Sequence, residues 1–326
     1  MMTFCIVLGC VLAVLGVFYL VISHDYRDAV VPVPDKADTA RNPYIVPTGR
    51  TMVVAHRLGG GISPENTLMA LKNCVEVEAL PVDIFEFDVH LTKDGQLILL
   101  HDETFDRTSN AEEAFGRKGV LPHEKTYEEL QVLNLGEHFK TASGDTPYKG
   151  LRGDDIPPDL HVARLRDVFA YFRERKAYCF VIEIKDGKAL GRRAADELYA
   201  ALKEYDMLER VVVGTFHGEI TAYMEETYPD MLRSAGIREV AGFYFSSLFG
   251  IRHKPDHYHF DALQIPTNDY VFQLGTSRLV NYAHKYNIAV QYWTINDPAE
   301  VRRLACLGAD AIMSDHPEMA SKELRG

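Results

Sequence analysis

The chain is short of the residues that build several familiar functional classes. Its five cysteines, Cys5, Cys10, Cys74, Cys179 and Cys306, lie far apart or inside an apolar run, and no two make a CxxC pair. That spacing argues against a zinc site or a disulfide framework and leaves them as small buried hydrophobes. Cations are in deficit: 35 Lys and Arg stand against 47 Asp and Glu, a formal net charge of −12. Such a balance argues against nucleic-acid binding, and against attraction to anionic lipid as the main means of membrane attachment. Tryptophan occurs once, as Trp293. There is no internal repeat and no low-complexity tract. The first 23 residues carry no charge at all, so the basic n-region of a signal peptide is missing.

That charge-free run, Met1 to Ser23, is almost wholly apolar. At about 1.5 Å per residue it is long enough to span a hydrocarbon core of about 30 Å. A helix apolar all round has no seat on a soluble α/β domain. Leu8-Gly9-Cys10 has the look of a lipoprotein cleavage box, but the apolar stretch before it is too short and apolar residues continue beyond it. The expectation is an uncleaved single-pass transmembrane anchor over 1–23 and an extended linker over 24–50, which holds Pro32, Pro34, Pro43 and Pro47, followed by one globular domain over 51–326. Arg27, flanked by Asp25 and Asp28, gives the positive-inside rule little to act on; the extracytoplasmic side is favoured.

With 47% hydrophobic residues, the rest of the chain can bury a sizeable core. Short apolar runs at 52–55, 83–89, 96–100, 178–184, 210–215, 261–265, 289–293 and 310–314 read as strands. They alternate with helical stretches at 65–79, 126–133, 164–175, 189–206, 217–228, 276–286, 297–307 and 317–323. This alternation predicts an α/β fold of the TIM-type (β/α)8 barrel class. Only a turn separates 83–89 from 96–100, and a weak strand candidate lies near 231–235, so the eight barrel slots are not all assigned. The turn-rich stretch 103–160 reads as an insertion on the rim, and 236–259 as irregular.

Chemistry concentrates in two places. Glu86 and Asp88 lie two residues apart in an apolar run, so in a strand both point to one face. Two carboxylates there need positive charge between them, from a divalent cation or from ion pairs to Arg57 or Lys185. Glu183, ending another buried run, adds a third carboxylate and tips the balance towards a hard cation, Mg²⁺ or Ca²⁺. His56 and His101 each end an apolar run, and imidazole exchanges protons near neutrality. Arg57 suits bidentate binding of a phosphate, and Gly59-Gly60-Gly61 lets backbone amides approach a ligand. Trp293 walls a pocket or fills the barrel top. His253, His257 and His259 lack metal-ligand spacing and read as a solvated loop.

Taken together, His56-Arg57, Pro64-Glu65-Asn66-Thr67, Glu86-Phe87-Asp88-Val89, Thr92-Lys93-Asp94-Gly95, His101-Asp102, Glu183-Ile184-Lys185, Trp293-Thr294-Ile295-Asn296 and Gly308 to Asp315 with Pro317 resemble the ordered motifs of the glycerophosphodiester phosphodiesterase family. The resemblance covers roughly 51–323, and Leu58 departs from it, standing where the family usually has Gly. It implies Glu86, Asp88 and Glu183 as metal ligands. His56 and His101 fit the acid and base roles, in an order left open. Arg57 and Lys185 would hold the phosphate and Trp293 would face the substrate. Asn66 and Asp102 stand as supporting positions behind these groups, as does Glu65, which either orients a metal-bound group or caps its own helix. The expected activity is metal-dependent hydrolysis of glycerophosphodiesters to an alcohol and glycerol phosphate. The alternatives are a lysophospholipase D acting on lipid-tailed phosphodiesters and a non-catalytic membrane protein that binds them. The expected partners are the small-molecule substrate and, through the N-terminal helix, the membrane.

Overall fold

The computed structural model describes residues 2–23, 42–46, 50–175, 177–269 and 272–326, with the side chains of 2–8, 21–23 and 269 outside the description. The strands are β1 (Met52–Ala55), β2 (Ile84–Leu91), β3 (Leu97–Leu99), β4 (Cys179–Ile184), β5 (Val211–Gly214), β6 (Ala262–Ile265), β7 (Asn268–Asp269), β8 (Phe272–Gln273), β9 (Ala289–Tyr292) and β10 (Ala311–Ser314). The helices are α1 (Met2–Ser23), α2 (Leu68–Lys72), α3 (Ala111–Phe115), α4 (Tyr127–Leu130), α5 (Leu165–Phe172), α6 (Lys188–Glu204), α7 (Gly218–Thr227), α8 (Ile237–Leu248), α9 (Ser277–Lys285), α10 (Pro298–Cys306) and α11 (Pro317–Arg325).

Seven strands run parallel in the order β5-β4-β2-β1-β10-β9-β6. The gap between β5 and β6 is closed by the weak candidate near 231–235: Ser234 donates its N–H to Val213 at 3.0 Å, and Ala235 to Ala262 at 2.9 Å. The result is the expected barrel with helices outside, its eighth slot held by single-residue bridges rather than a full strand. The run at 96–100 is not a barrel stave. As β3 it folds back antiparallel on β2, pairing Leu97 with Leu91 and Leu99 with Val89. Gly95, at φ 80°, makes the turn. The hairpin turns beyond the carboxyl end of β2 and brings the chain back to the level of Asp88, whose carbonyl accepts the Leu100 N–H at 3.2 Å.

The core has three parts. One lies between the strands and the helical ring, with Phe85, Phe87, Phe169, Phe172 and Phe180 in mutual ring contact. A second fills the amino end of the barrel with Met52, Val54, Ile84, Val181 and Val212. Tyr44, Ile45 and Val46 belong to it, so the last part of the stretch expected as a linker is a buried plug. The Tyr44 hydroxyl reaches the carbonyls of Phe180 (2.8 Å) and Arg210 (2.6 Å), and Asn42 donates to those of Asp261 and Asn287. The third sits under the rim insertion, around Phe105, Leu130 and Leu133.

One expectation about the elements needs correction. The stretch 236–259 is not irregular throughout, because α8 occupies Ile237–Leu248. Its mid-helix Gly242 and aromatic run Phe243-Tyr244-Phe245 disfavour a helix locally, but burial of Phe243 among Tyr258, Phe260 and Tyr282 overrides that. As for the anchor, no helix is long and apolar enough to cross a membrane among the described residues; of α1, the side chains of residues 9–20 are described.

Candidate active site

β1 ends in a tight turn. Arg57 and Leu58 both take left-handed backbone, φ 50° and 64°, and Gly59 follows at φ 95°. The turn puts His56 at the barrel mouth while sending Leu58 into the core, fully buried. Left-handed backbone is where glycine is least strained, which gives the family's glycine at this position its physical meaning. His56 Nδ1 lies 2.6 Å from Asp315 Oδ1 at the end of β10. Asn296 holds the other Asp315 oxygen at 2.6 Å and takes the Asp315 N–H at 3.0 Å. Gly61 closes the same corner by donating to the Asp315 carbonyl at 2.9 Å, at an approach where an added Cβ would sit 2.6 Å from that oxygen. Burial opposes charge on His56, but Glu86 and Asp315 more than offset it, and the imidazole pKa is raised. Burial alone would raise Asp315; the hydrogen bonds from His56 and Asn296 hold it at about 2.

Glu86 and Asp88 face the barrel lumen from β2, both buried. Asp88 stands directly opposite Glu183 in the β2–β4 register. Glu86 accepts the Arg57 N–H at 2.7 Å and lies 3.8 Å from His56 Nε2. Asn66 donates to Asp88 at 3.0 Å. The Lys185 ammonium sits between carboxylates, 3.0 Å from Glu183 and 3.3 Å from Asp88. Burial, then repulsion from Asp88, pushes the Glu86 pKa well up, and burial raises Glu183 as well.

Three carboxylates around one point with a single lysine among them leave negative charge in surplus. That donor set suits a hard divalent cation. As placed, the side chains pair with Lys185: among the described residues no three His, Cys, Asp or Glu groups close into a metal shell. The donor chemistry therefore fits a metal, and Lys185 stands where positive charge is needed.

His101 follows the β2–β3 hairpin. Its Nδ1 lies 2.7 Å from Asp102 Oδ1. Burial keeps its pKa below the ordinary value despite the attraction of Asp88. Arg107, six residues on, clamps both Asp102 oxygens (2.6 and 3.1 Å) and both Glu65 oxygens (2.7 and 2.8 Å). Glu65 also takes Arg57 Nη1 at 3.0 Å. So Glu65 neither caps its helix, where Thr67 is the cap, nor stands at the carboxylate floor; it ties Arg57 to Arg107. The Arg57 Nε is buried without a partner, a donor left for an anion.

These groups line one cleft of about 560 Å³ at the carboxyl ends of the strands. His56, Arg57, Glu86, Asp88, His101, Glu183, Lys185 and Trp293 all border it. Glu65, Asn66 and Asp102 stand behind them. Trp293 is a wall, edge-on to Phe216 at 6.1 Å. His253, His257 and His259 lie away from the cleft; His253 and His257 stack on each other at 3.9 Å. The sequence reading missed the roles of Asp315, Asn296 and Arg107, and the apolar wall formed by Phe216, α8 and Phe272. Asp315 and Asn296 sit inside recognised motifs, a signal that was available; Arg107 and α8 offered none.

Known proteins resemble this chain over most of its length. Residues 56–319 match the model of the glycerophosphoryl diester phosphodiesterase family. A glycerophosphodiester phosphodiesterase of Caldanaerobacter subterraneus is 30% identical over 82% of this chain and 96% of its own. A lysophospholipase D of Mus musculus is 22% identical over 85% of this chain and 84% of its own. Among solved structures, an Oleispira antarctica phosphodiesterase in complex with the product sn-glycerol-3-phosphate shares the fold, with TM-score 0.63 at 19% identity, covering 85% of this chain and 98% of that one. The barrel, the ordered motifs and the match across most of the chain lead to one assignment: the protein belongs to the glycerophosphoryl diester phosphodiesterase family.

Proposed function

We propose that this chain hydrolyses glycerophosphodiesters to an alcohol and glycerol phosphate, with a divalent cation as cofactor and His56 and His101 as the proton-transfer pair. The observation that carries this reading is the pairing of both histidines. Each is held at Nδ1 by a carboxylate, Asp315 or Asp102, which leaves Nε2 facing a cleft floored by three carboxylates. A bound cation held by Glu86, Asp88 and Glu183 would neutralise charge on the phosphoryl oxygens. Arg57 and Lys185 would orient the phosphate by charge and hydrogen bonds. As a new P–O bond forms, one histidine takes the proton of the nucleophile; as the P–O bond to the alcohol breaks, the other supplies a proton to the departing oxygen. The nucleophile is water or a substrate hydroxyl that first forms a cyclic phosphate.

The test is turnover of glycerophosphocholine by purified full-length protein. Exhaustive chelation should abolish it, and Mg²⁺ or Ca²⁺ should restore it. His56→Ala and His101→Ala should each lower kcat by about 10² to 10⁴-fold. Undiminished turnover after chelation would remove the metal from the mechanism, and near-normal kcat in either variant would remove that histidine.

The cleft also favours a second reading, lysophospholipase D activity. Ile237, Val240, Ala241, Tyr244 and Phe245 of α8 give it an apolar wall larger than a glycerol moiety needs. Turnover of lysophosphatidylcholine beside glycerophosphocholine decides between the two. Residues 1–23 remain the proposed membrane anchor, with the barrel on the extracytoplasmic side. Resistance of the full-length protein to carbonate extraction tests the anchor, and protease protection in sealed vesicles tests the side.

A further inference from the structure

The wall of the cleft does not stop at the cleft. Ile237, Val240, Ala241, Tyr244 and Phe245 recur every three or four residues, so they form one stripe along α8. The next positions of that stripe are Leu248 and Phe249. The opposite face, through Phe243, is buried on the barrel. The ends of the stripe are bare: Ile237 is 61% exposed and Phe249 60%, with Ile251 at 45% just beyond and Phe216 at 55% across the mouth. Outside α1, the other large hydrophobics exposed among the described residues are Val77 and Val132. Exposed apolar surface is thus gathered at the mouth of the site rather than scattered, the arrangement that marks an interaction surface.

Two further observations say what covers it. Arg238, Arg252 and Lys254 lie exposed in the same segment of an acidic chain, and no ion pair of theirs occurs among the described residues. Long cationic side chains beside exposed apolar ones suit the boundary between phosphate headgroups and acyl chains. The second is α1. It packs beside β8, and Phe18 stacks on Phe245 of the stripe at 6.5 Å. Val11, Leu12, Val14, Leu15, Val17, Phe18, Tyr19 and Leu20 of α1 are all exposed, so a helix that needs an apolar surrounding stands against this same rim.

We propose that the barrel mouth itself docks on a phospholipid bilayer, with Phe249, Ile251, Ile237 and Phe216 entering the headgroup boundary and Arg238, Arg252 and Lys254 meeting lipid phosphate. The consequence, which rests on the phosphodiester reading of the cleft, is that lipid-tailed substrate enters sideways along the α8 stripe without crossing water.

The test uses full-length protein reconstituted in phosphatidylcholine bilayers. Phe249→Trp adds a reporter, read as the difference from the parent, whose Trp293 is the background. Lipids brominated near the headgroup end of the acyl chain should quench the added fluorescence, and aqueous acrylamide should quench it less than in detergent-free truncated peptide controls of the 245–253 sequence. Unquenched fluorescence would overturn the proposal, including the case in which α1 or a second copy covers the stripe. In the second arm, Phe249→Asp with Ile251→Asp should lower turnover of bilayer-embedded lysophosphatidylcholine by about tenfold or more, as expected when two apolar side chains no longer enter lipid, and leave turnover of water-soluble glycerophosphocholine at the parent level. Equal turnover of both substrates in parent and variant would also overturn it. A parent inactive on both substrates would sink the catalytic reading alone, with docking still decided by the quenching.

Discussion

Arg107 grips two carboxylates at once, and through them it touches both halves of the candidate chemistry. Asp102 fixes His101, and Glu65 fixes Arg57. The hydrogen bonds from Arg107 and His101 outweigh burial and hold the Asp102 pKa at about 2. A depressed carboxylate keeps its interaction above its ordinary range and loses it as pH falls through the folded value. With Arg107→Gln, the Asp102 pKa should climb towards about 4, its ordinary value, as read by carboxyl NMR titration, and kcat should drop about tenfold with KM less affected. Arg107→Lys should not restore kcat, because an ammonium cannot span both carboxylates as a planar fork does; full rescue would reduce Arg107 to a point charge. Leu58 gives a second test at this scale. Its left-handed backbone costs about 1–2 kcal/mol for a non-glycine residue, while deleting a buried leucine costs about 2–5 kcal/mol. Leu58→Gly removes the side chain and the strain together; Leu58→Ala removes only the side chain. Urea denaturation should therefore find the Gly variant more stable than the Ala variant, the reverse of the usual order within a helix or strand. If Ala proves the more stable, the strain account fails.

At the scale of elements, strands read well from the sequence because the barrel staves are short, largely apolar runs, several of which end at a polar residue. β1, β4 and β5 show it plainly: Met52–Ala55 ends at His56, Cys179–Ile184 ends at Lys185, and Val211–Gly214 ends at Thr215. Periodicity therefore located the candidate site before any contact was known. It could not supply partners. His56 and Asp315 are 259 positions apart, and only closure of β10 on β1 brings them to 2.6 Å. α8 escaped because its aromatic run and Gly242 carry weak helical preference, and its reason to be helical lies in the residues it packs on. The plug at 42–46 escaped because proline and polar neighbours read as linker, while Tyr44 is fully buried. Its removal should be costly. Tyr44→Ala should lose about 3–5 kcal/mol by leaving a cavity. Tyr44→Phe should lose about 1–3 kcal/mol by leaving buried carbonyls short of a donor. Thermal and urea melts of both variants measure this; two parent-like melts would show that the plug closes nothing.

For the whole molecule, the deciding feature is that the first and last staves are neighbours. β10 pairs with β1 in parallel from Met52–Ala311 to Ala55–Ser314. A chain ending at residue 310 lacks that pairing, and calorimetry should find no cooperative unfolding transition; an ordinary transition would mean the other staves stand alone. The same adjacency bears on how the protein is made. A ribosome releases His56 long before Asp315, which follows 259 positions later. During synthesis the imidazole waits without its carboxylate, and the ring of staves waits without its closing member. A chain stalled or clipped anywhere between the two residues therefore has neither the closed ring nor the His56–Asp315 pair, and is a failed product rather than an unregulated hydrolase.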